Sequence, residues 1–143
     1  MSPESMWGEL PLTSETKPPI VFLREQATTL KTATNGLLYG EVRAHQQGTS
    51  LSASLDVVAP ALDGYRYEIV SIAHGITFYP VTLVNPLLGQ RTQCNDEETY
   101  LARLRTHLSS NEVHRILGAL IAQSKTGWGG LKAETNTNDD AKE

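Results

Sequence analysis

The side chains that most often carry out chemistry are few in this sequence and lie far apart. They are His45, His74, His107, His114 and a single cysteine, Cys94. No two histidines form an HxxxH or HExxH pair and the cysteine has no CxxC partner, so we predict no metal site. A cysteine just before a helix can be an activated nucleophile, because the helix dipole lowers a thiol pKa. Its basic partner would be a distant histidine that the sequence does not identify, so we predict a small, partly buried cysteine instead.

Other motifs of catalysis and cofactor binding are also missing from the sequence. The acidic run at 95–98 could suggest a cation site, but carboxylates in a first helical turn are already favoured by the helix dipole. The sequence contains no glycine-rich phosphate loop and no GxSxG elbow. We therefore expect no cofactor, and an enzyme is the less favoured interpretation.

The distribution of charge argues against a nucleic-acid partner. The net charge is −4, from 12 Lys and Arg against 16 Asp and Glu. Binding to a phosphate backbone needs clustered Lys and Arg, and no segment supplies such a cluster. The apolar runs stop well short of the ~18 residues of a membrane-spanning helix, and the first residues do not resemble a secretory signal. With one cysteine, which fits a reducing compartment, we expect a soluble cytoplasmic protein that binds no membrane.

Any site must be positioned by the elements of one α+β domain, which we predict over residues 19–126. The segments 1–18 and 127–143 are rich in small and polar residues, so we predict a flexible N-terminal arm and a flexible C-terminal tail. The first helix should begin at the Pro18-Pro19 pair, since proline suits a first helical turn, and end at Asn35-Gly36.

Alternating apolar and polar residues predict a four-stranded antiparallel meander after this helix. The predicted strands are 37–46, 51–60, 65–73 and 76–84. Asp63-Gly64 is expected to be a two-residue hairpin loop, and Pro80, which has no N–H, marks the fourth strand as a sheet edge. One face then collects the apolar residues of the core, which are Leu38, Val42, Leu55, Val57, Val70 and Ile72.

Two more helices follow, and both should pack on this apolar face. Asn95 with Glu98 predicts the start of one, and Ser109 with Glu112 predicts the start of the other. Apolar residues recur at helical spacing in both segments, and Gly127 should end the structured part.

The opposite face of the sheet carries the candidate site. The expected register places Tyr39, Asp56, Ser71 and Phe78 in one row across the four strands. The candidate binding residues on and around this row are Tyr39, Glu41, Arg43, Asp56, Tyr67, Ser71 and Phe78. Aromatic and charged residues mixed on a rigid sheet are typical of a recognition surface. The alternative is that a helix covers the apolar half of this face and water covers the rest.

Both tryptophans fall outside every predicted element. A large aromatic ring in a polar segment either folds back onto its own domain or docks on another protein. Trp7 is therefore a further candidate binding residue, whereas Trp128 lies in the predicted tail. The arm could also add a strand along the free edge of the first strand.

The leading hypothesis is a small non-enzymatic protein-binding module, of accessory, adaptor or inhibitor type, that uses this sheet face. The alternative is a small-molecule-binding or hydrolytic domain with a pocket between sheet and helices. In that case Asp56 would be the acid or base and Ser71 its hydrogen-bonding neighbour. A homodimer that pairs through the edge of the first strand is compatible with either hypothesis.

Overall fold

The computed structural model describes residues 4–12 and 16–127. Their helices and strands run in the order α1 (Pro19–Ala33), β1 (Tyr39–Gln47), β2 (Ser50–Ala59), β3 (Tyr65–His74), β4 (Val81–Asn85), β5 (Gln90–Cys94), α2 (Glu97–Leu108) and α3 (Asn111–Thr126). A short 3-10 turn at Pro60–Leu62 joins β2 to β3. The predicted α+β class and antiparallel meander are confirmed, but the sheet has five strands, in the order β1-β2-β3-β4-β5.

The fifth strand is the main difference from the expected sheet. The Asn85 side chain accepts hydrogen bonds from the backbone N–H groups of Leu87 at 3.0 Å and Leu88 at 3.3 Å, which turns the chain back into β5. This strand has five residues and four of them are polar, so it lacks the apolar alternation by which strands are recognised.

The predicted fourth strand begins later than expected. Residues 75–80 form a connection, and the strand itself starts at Val81, immediately after Pro80. A proline cannot donate to the ladder, so it lies outside the strand rather than within it. β5 pairs along the far side of β4, and the expectation that the fourth strand is an edge is therefore wrong.

The first hairpin is tighter than predicted. Gln47 lies opposite Ser50 around the two-residue turn Gly48-Thr49, and Gly48 has a φ of 62°. Val42 therefore lies opposite Leu55, a position that the expected register assigned to glycine. A shift of two residues changes the neighbours of a side chain but leaves it on the same face of the sheet.

The second hairpin is wider than predicted and contains a β-bulge. The 3-10 turn lengthens the loop, so that Ala59 rather than Leu62 pairs with Tyr65. Leu55 pairs with Val70 and Asp56 with Glu68, which leaves Ile69 between them without a partner in β2. Because of this extra residue, the residues before it in β3 lie on the opposite face of the sheet from the one predicted.

All three helices pack on one face of the sheet, here called the inner face; the opposite face is the outer face. The six predicted core residues lie on the inner side, five of them buried and Val42 half-buried, so this prediction is confirmed. Gly40 allows α1 its close approach, because a Cβ at this position would lie 2.5 Å from the Cα of Ala27. The Tyr100 hydroxyl of α2 donates to the Pro19 carbonyl at 2.9 Å and joins α2 to the start of α1.

Each helix cap of the C-terminal pair lies one residue later than predicted. The Asp96 carboxylate, not Asn95, accepts from the N–H of Thr99 at 2.8 Å and caps α2. Ser110, not Ser109, accepts from the N–H of Val113 at 3.3 Å and caps α3. α1 starts at the proline pair and α3 ends at Gly127, both as predicted.

The predicted arm and tail are described only in part. Residues 4–12 form no helix or strand, and Trp128 with the rest of the predicted tail beyond Gly127 lies outside the described residues. No helix in the described ranges has the length and apolar character needed to cross a membrane.

Candidate functional site

The outer face is organised in rows, because directly paired residues of neighbouring strands point to the same side of a sheet. The first row is Tyr39, Val58 and Arg66. The second row is Glu41, Asp56 and Glu68. The third row, which crosses all five strands, is Arg43, Ser54, Ser71, Val84 and Arg91. The fourth row is His45, Ser52, Ala73, Thr82 and Gln93.

Three members of the expected row lie on the outer face, but not in one row. Tyr39, Asp56 and Ser71 occupy the first, second and third rows, because the hairpin registers differ from the expected ones. Phe78 lies in none of the rows. It sits in the connection between β3 and β4 with a φ of 80°, and its ring stands edge-on to His74 at 6.2 Å.

Two other candidate residues also lie away from the outer face. Tyr67 is opposite Val57 on the inner face and packs against the core, since the bulge reverses its orientation. Trp7 precedes every described helix and strand and is 78% exposed. Glu41 and Arg43 lie on the outer face as expected.

Asp56 is the centre of an ion-pair network on the outer face. The side chain is fully buried, and it accepts hydrogen bonds from Arg43 Nε at 2.7 Å, Arg43 Nη2 at 3.3 Å and Arg66 Nη1 at 3.3 Å. Arg66 also pairs with Glu41, and Arg43 Nη2 lies 3.7 Å from a carboxylate oxygen of Glu68. These five residues, two cations and three anions, are called the Asp56 network below.

The network keeps its arginines charged and in place. The hydrogen bond to Asp56 raises the pKa of Arg43, and the hydrogen bond to Glu41 raises the pKa of Arg66. Each arginine side chain remains about half exposed while part of its guanidinium pairs with carboxylates. The ion pairs thus hold the two guanidinium groups in fixed positions at the surface.

A trough of about 560 Å³ lies over the third and fourth rows. Its floor consists of small side chains, chiefly Ser54, Ser71 and Ala73. Arg43 lies at the β1 end and Arg91 at the β5 end, and no carboxylate is among the residues that line it. The trough is therefore a concave part of the outer face beside the Asp56 network, with an arginine at each end.

The histidines and the cysteine lie away from this trough, except His45 at its rim. Buried His107 places Nε2 2.6 Å from the carbonyl oxygen of Ile69, at the β-bulge. Cys94 is buried, and burial raises its thiol pKa, which is the opposite of what a nucleophile needs. Within the described residues, no group of three or more His, Cys, Asp or Glu could hold a metal ion.

Sequence reasoning missed Arg66, Glu68 and Arg91 as site residues. The expected register, which continues the alternation from Val70, places the first two on the core side, because it does not include the bulge that turns them outward. The adjacent apolar pair Ile69-Val70, which interrupts strict alternation, is the signal that could have revealed it. Arg91 was missed together with β5.

Comparison of the chain with models of protein families, with curated proteins and with solved structures finds no match.

Proposed function

We propose that this chain is a small protein-binding module, of accessory, adaptor or inhibitor type, that acts in the cytoplasm and recognises its partner with the outer face. The observation that carries the proposal is that α1, α2 and α3 all pack on the inner face. Within the described residues, no helix covers the outer face of the five-stranded sheet, on which Asp56 and Val58 are buried and the other side chains are partly or fully exposed. A rigid sheet face of this kind is a ready platform for another protein.

The Asp56 network supports a recognition role. Binding orders the side chains at an interface, and this ordering costs free energy. Arg43 and Arg66 are already held by carboxylates before a partner arrives, so less ordering remains. Arginine is also enriched at the centres of protein interfaces, where it makes several hydrogen bonds at once.

The hydrolytic alternative is not favoured by the geometry. Asp56 accepts from two guanidinium groups, which occupy the oxygens that an acid or base would need. Ser71 lies in the next row, opposite Ser54 and Val84, rather than beside Asp56. The two residues proposed to cooperate are therefore separated by the register of the sheet.

The free edge of β1 is a second surface for association. β1 pairs with β2 along one side, and no other described strand pairs along its opposite side. An unpaired edge can accept a strand from a second copy or from another protein. We expect light scattering of the full chain to show whether it forms a homodimer, and a monomeric mass over a wide concentration range would exclude one.

Substitution of the outer face tests the proposed function. Ser71→Arg should fill the trough without entering the core, whereas Ala122→Arg adds the same side chain to an exposed position of α3. The tagged full chain and both variants are recovered from cells that express it naturally, and co-purified proteins are quantified by mass spectrometry. Ser71→Arg should lose a partner that Ala122→Arg keeps.

Two controls make this result decisive. Thermal unfolding should show that both variants are folded, and Trp7→Ala should show whether the arm contributes. If the same proteins co-purify in the same amounts with Ser71→Arg as with the unmodified chain, the outer face is not the binding surface.

A further inference from the structure

Resting on the proposed function, we propose that the partner presents an acidic α-helix, which lies along the strands in the outer-face trough between Arg43 and Arg91. The charge of the trough, the pairing state of its two arginines and its width support this partner.

The outer face is electrically polarised. The trough is lined by Arg43 and Arg91, with His45 at its rim and without a carboxylate. The acidic residues of the outer face stand together in the second row, where Arg43 and Arg66 hold them. Asp56 compensates the charge of Arg43, whereas no carboxylate of the described residues pairs with Arg91, so charge complementarity at the β5 end of the trough favours an acidic partner.

Arg91 is the cation with the most freedom to meet such a partner. It lies on the edge strand β5 and is exposed, and no carboxylate of the described residues forms an ion pair with it. An arginine offers five N–H donors and cannot lose its charge near neutral pH. Arg43 also retains donors, because Asp56 accepts from only Nε and Nη2 among its five N–H groups, and Glu68 lies beyond hydrogen-bond distance at 3.7 Å from Nη2.

The width of the trough fits a helix better than an extended strand. The third row crosses five strands, so the Cα atoms of Arg43 and Arg91 are about 19 Å apart at the usual strand spacing. A helix with its side chains is about 10–12 Å wide, and both of its flanks then come within reach of a long arginine side chain. An extended strand is narrower and would leave one arginine without a partner.

The floor of the trough allows a helix to approach. Ser54 and Ser71 face each other in the middle of the third row, and Ala73 follows in the fourth. These side chains are short, so a helix can come near the sheet, and Val84 provides an apolar contact. We expect the partner helix to carry a small or apolar ridge toward this floor, with Asp or Glu recurring every three or four residues on both flanks.

The test uses two synthetic helical peptides and the full isotope-labelled chain. One peptide has an alanine ridge with glutamates on both flanks, and the matched peptide carries glutamine at the same positions. Titration is followed through backbone NMR signals. The glutamate peptide should shift signals of the third and fourth rows, with an affinity that falls as salt is added, and the glutamine peptide should not.

Variants of Arg91 identify the cation that recognises the peptide. Arg91→Glu should weaken binding of the glutamate peptide about tenfold or more, whereas Arg91→Lys should retain most of it. Arg103→Glu, at an exposed position of α2, is the matched control and should leave the affinity unchanged. Equal weakening by Arg103→Glu would indicate a response to net charge alone and would overturn the proposal. So would tighter binding of a short DNA duplex to the trough.

The same variants separate this inference from the function on which it rests. If Ser71→Arg loses a co-purified partner but Arg91→Glu keeps it, the outer face binds a protein and the acidic helix is wrong. If both variants keep every partner, the proposed function fails and the inference fails with it. Loss of the same partner in both, with retention in Arg91→Lys and Arg103→Glu, supports the acidic helix.

Discussion

Asp56 shows how a charged residue on an open sheet face becomes buried without a covering helix. Its carboxylate pairs with the guanidinium groups of Arg43 and Arg66, whose side chains are about half exposed. The two arginines therefore keep water from the carboxylate and compensate its charge at the same time. From the sequence, we expected either a helix or water to cover this face. Asp56 is instead covered by neighbouring side chains.

Cys94 provides a prediction about reactivity. The thiol is fully buried, and burial raises its pKa, so few molecules carry the reactive thiolate near neutral pH. We expect a thiol reagent such as DTNB to label the folded chain at least about 100-fold more slowly than the unfolded chain, since labelling must await local opening. Cys94 is the sole cysteine, so the signal has one source. Rapid labelling of the folded chain would contradict its burial.

Two neighbouring tyrosines provide a matched pair of substitutions that test how a buried hydroxyl affects the stability of the fold. The Tyr100 hydroxyl donates to the Pro19 carbonyl, whereas the buried Tyr79 hydroxyl has no hydrogen-bond partner among the described residues. Burial raises the pKa of Tyr79 to about 12, so its hydroxyl remains protonated near neutral pH. Tyr100→Phe should lower the free energy of unfolding by about 1 kcal/mol, and Tyr79→Phe should leave it unchanged or raise it slightly. Urea unfolding of both variants measures the difference, and an equal loss in both would contradict it.

At the scale of elements, helix caps can be placed from sequence to within one residue. Asn95 and Asp96 are both good caps, as are Ser109 and Ser110, and composition alone does not decide between neighbours. In the structure, the carboxylate of Asp96 and the hydroxyl of Ser110 are the side-chain groups close enough to accept from an unpaired backbone N–H in the first turn of each helix.

A substitution of each serine tests this assignment. Ser110→Ala should destabilise the fold by about 1 kcal/mol, since the N–H of Val113 loses its acceptor. Ser109→Ala should cost less than about 0.5 kcal/mol, because its hydroxyl is exposed and bonds a carbonyl within α2. Thermal unfolding of the two variants checks the order, and a larger loss from Ser109→Ala would restore the cap predicted from sequence.

The contact between α1 and β1 provides a second test of an element. Gly40→Ala places a methyl group 2.5 Å from the Cα of Ala27, so α1 must move away, at a cost of about 1–3 kcal/mol. Gly118→Ala is the control, since a Cβ at this position of α3 meets open space. That variant should stabilise the helix by about 0.5–1 kcal/mol. If both substitutions stabilise the protein, α1 does not lie as close to Gly40 as the structure shows.

Strand periodicity predicted the face of the sheet on which a residue lies better than it predicted the residue opposite it on the next strand. Leu38, Val42 and Leu55 lie on the inner face as expected, because a hairpin shift of two residues preserves the face. Tyr67 does not, because a bulge at Ile69 changes the count by one. Loop lengths and bulges depend on contacts between strands, and local sequence patterns do not contain these contacts. The residues that share a row across the sheet could therefore not be predicted.

At the scale of the whole molecule, the described residues form a two-layer structure with helices on one side of the sheet. Antiparallel sheets commonly keep one face in contact with solvent, so the outer face needs no covering helix for stability. The sequence indicated three helices and placed the two C-terminal ones on the apolar face, but it left open whether a helix would also cover part of the mixed aromatic and charged second face. That arrangement is set by long-range contacts such as the one from Tyr100 to Pro19.

The two-layer arrangement predicts that alanine substitution of two adjacent residues of β4 lowers the free energy of unfolding by unequal amounts. Leu83 faces the core on the inner side and is buried, whereas Val84 lies in the third row of the outer face and is half-buried. Leu83→Ala should lower the free energy of unfolding by about 2–5 kcal/mol, because it removes packed methyl groups and leaves a cavity. Val84→Ala should cost less than about 1 kcal/mol, since it creates no closed cavity.

Chemical unfolding of both variants, with the slope of the transition compared, measures this asymmetry. Comparable losses would mean that a further segment or a second copy covers the outer face in solution, and that Val84 is then part of a buried interface. Such a result would also redirect the search for a partner, because the trough between Arg43 and Arg91 would already be occupied. A small loss at Val84 beside a large one at Leu83 instead leaves the outer face open for binding, as the proposed function requires.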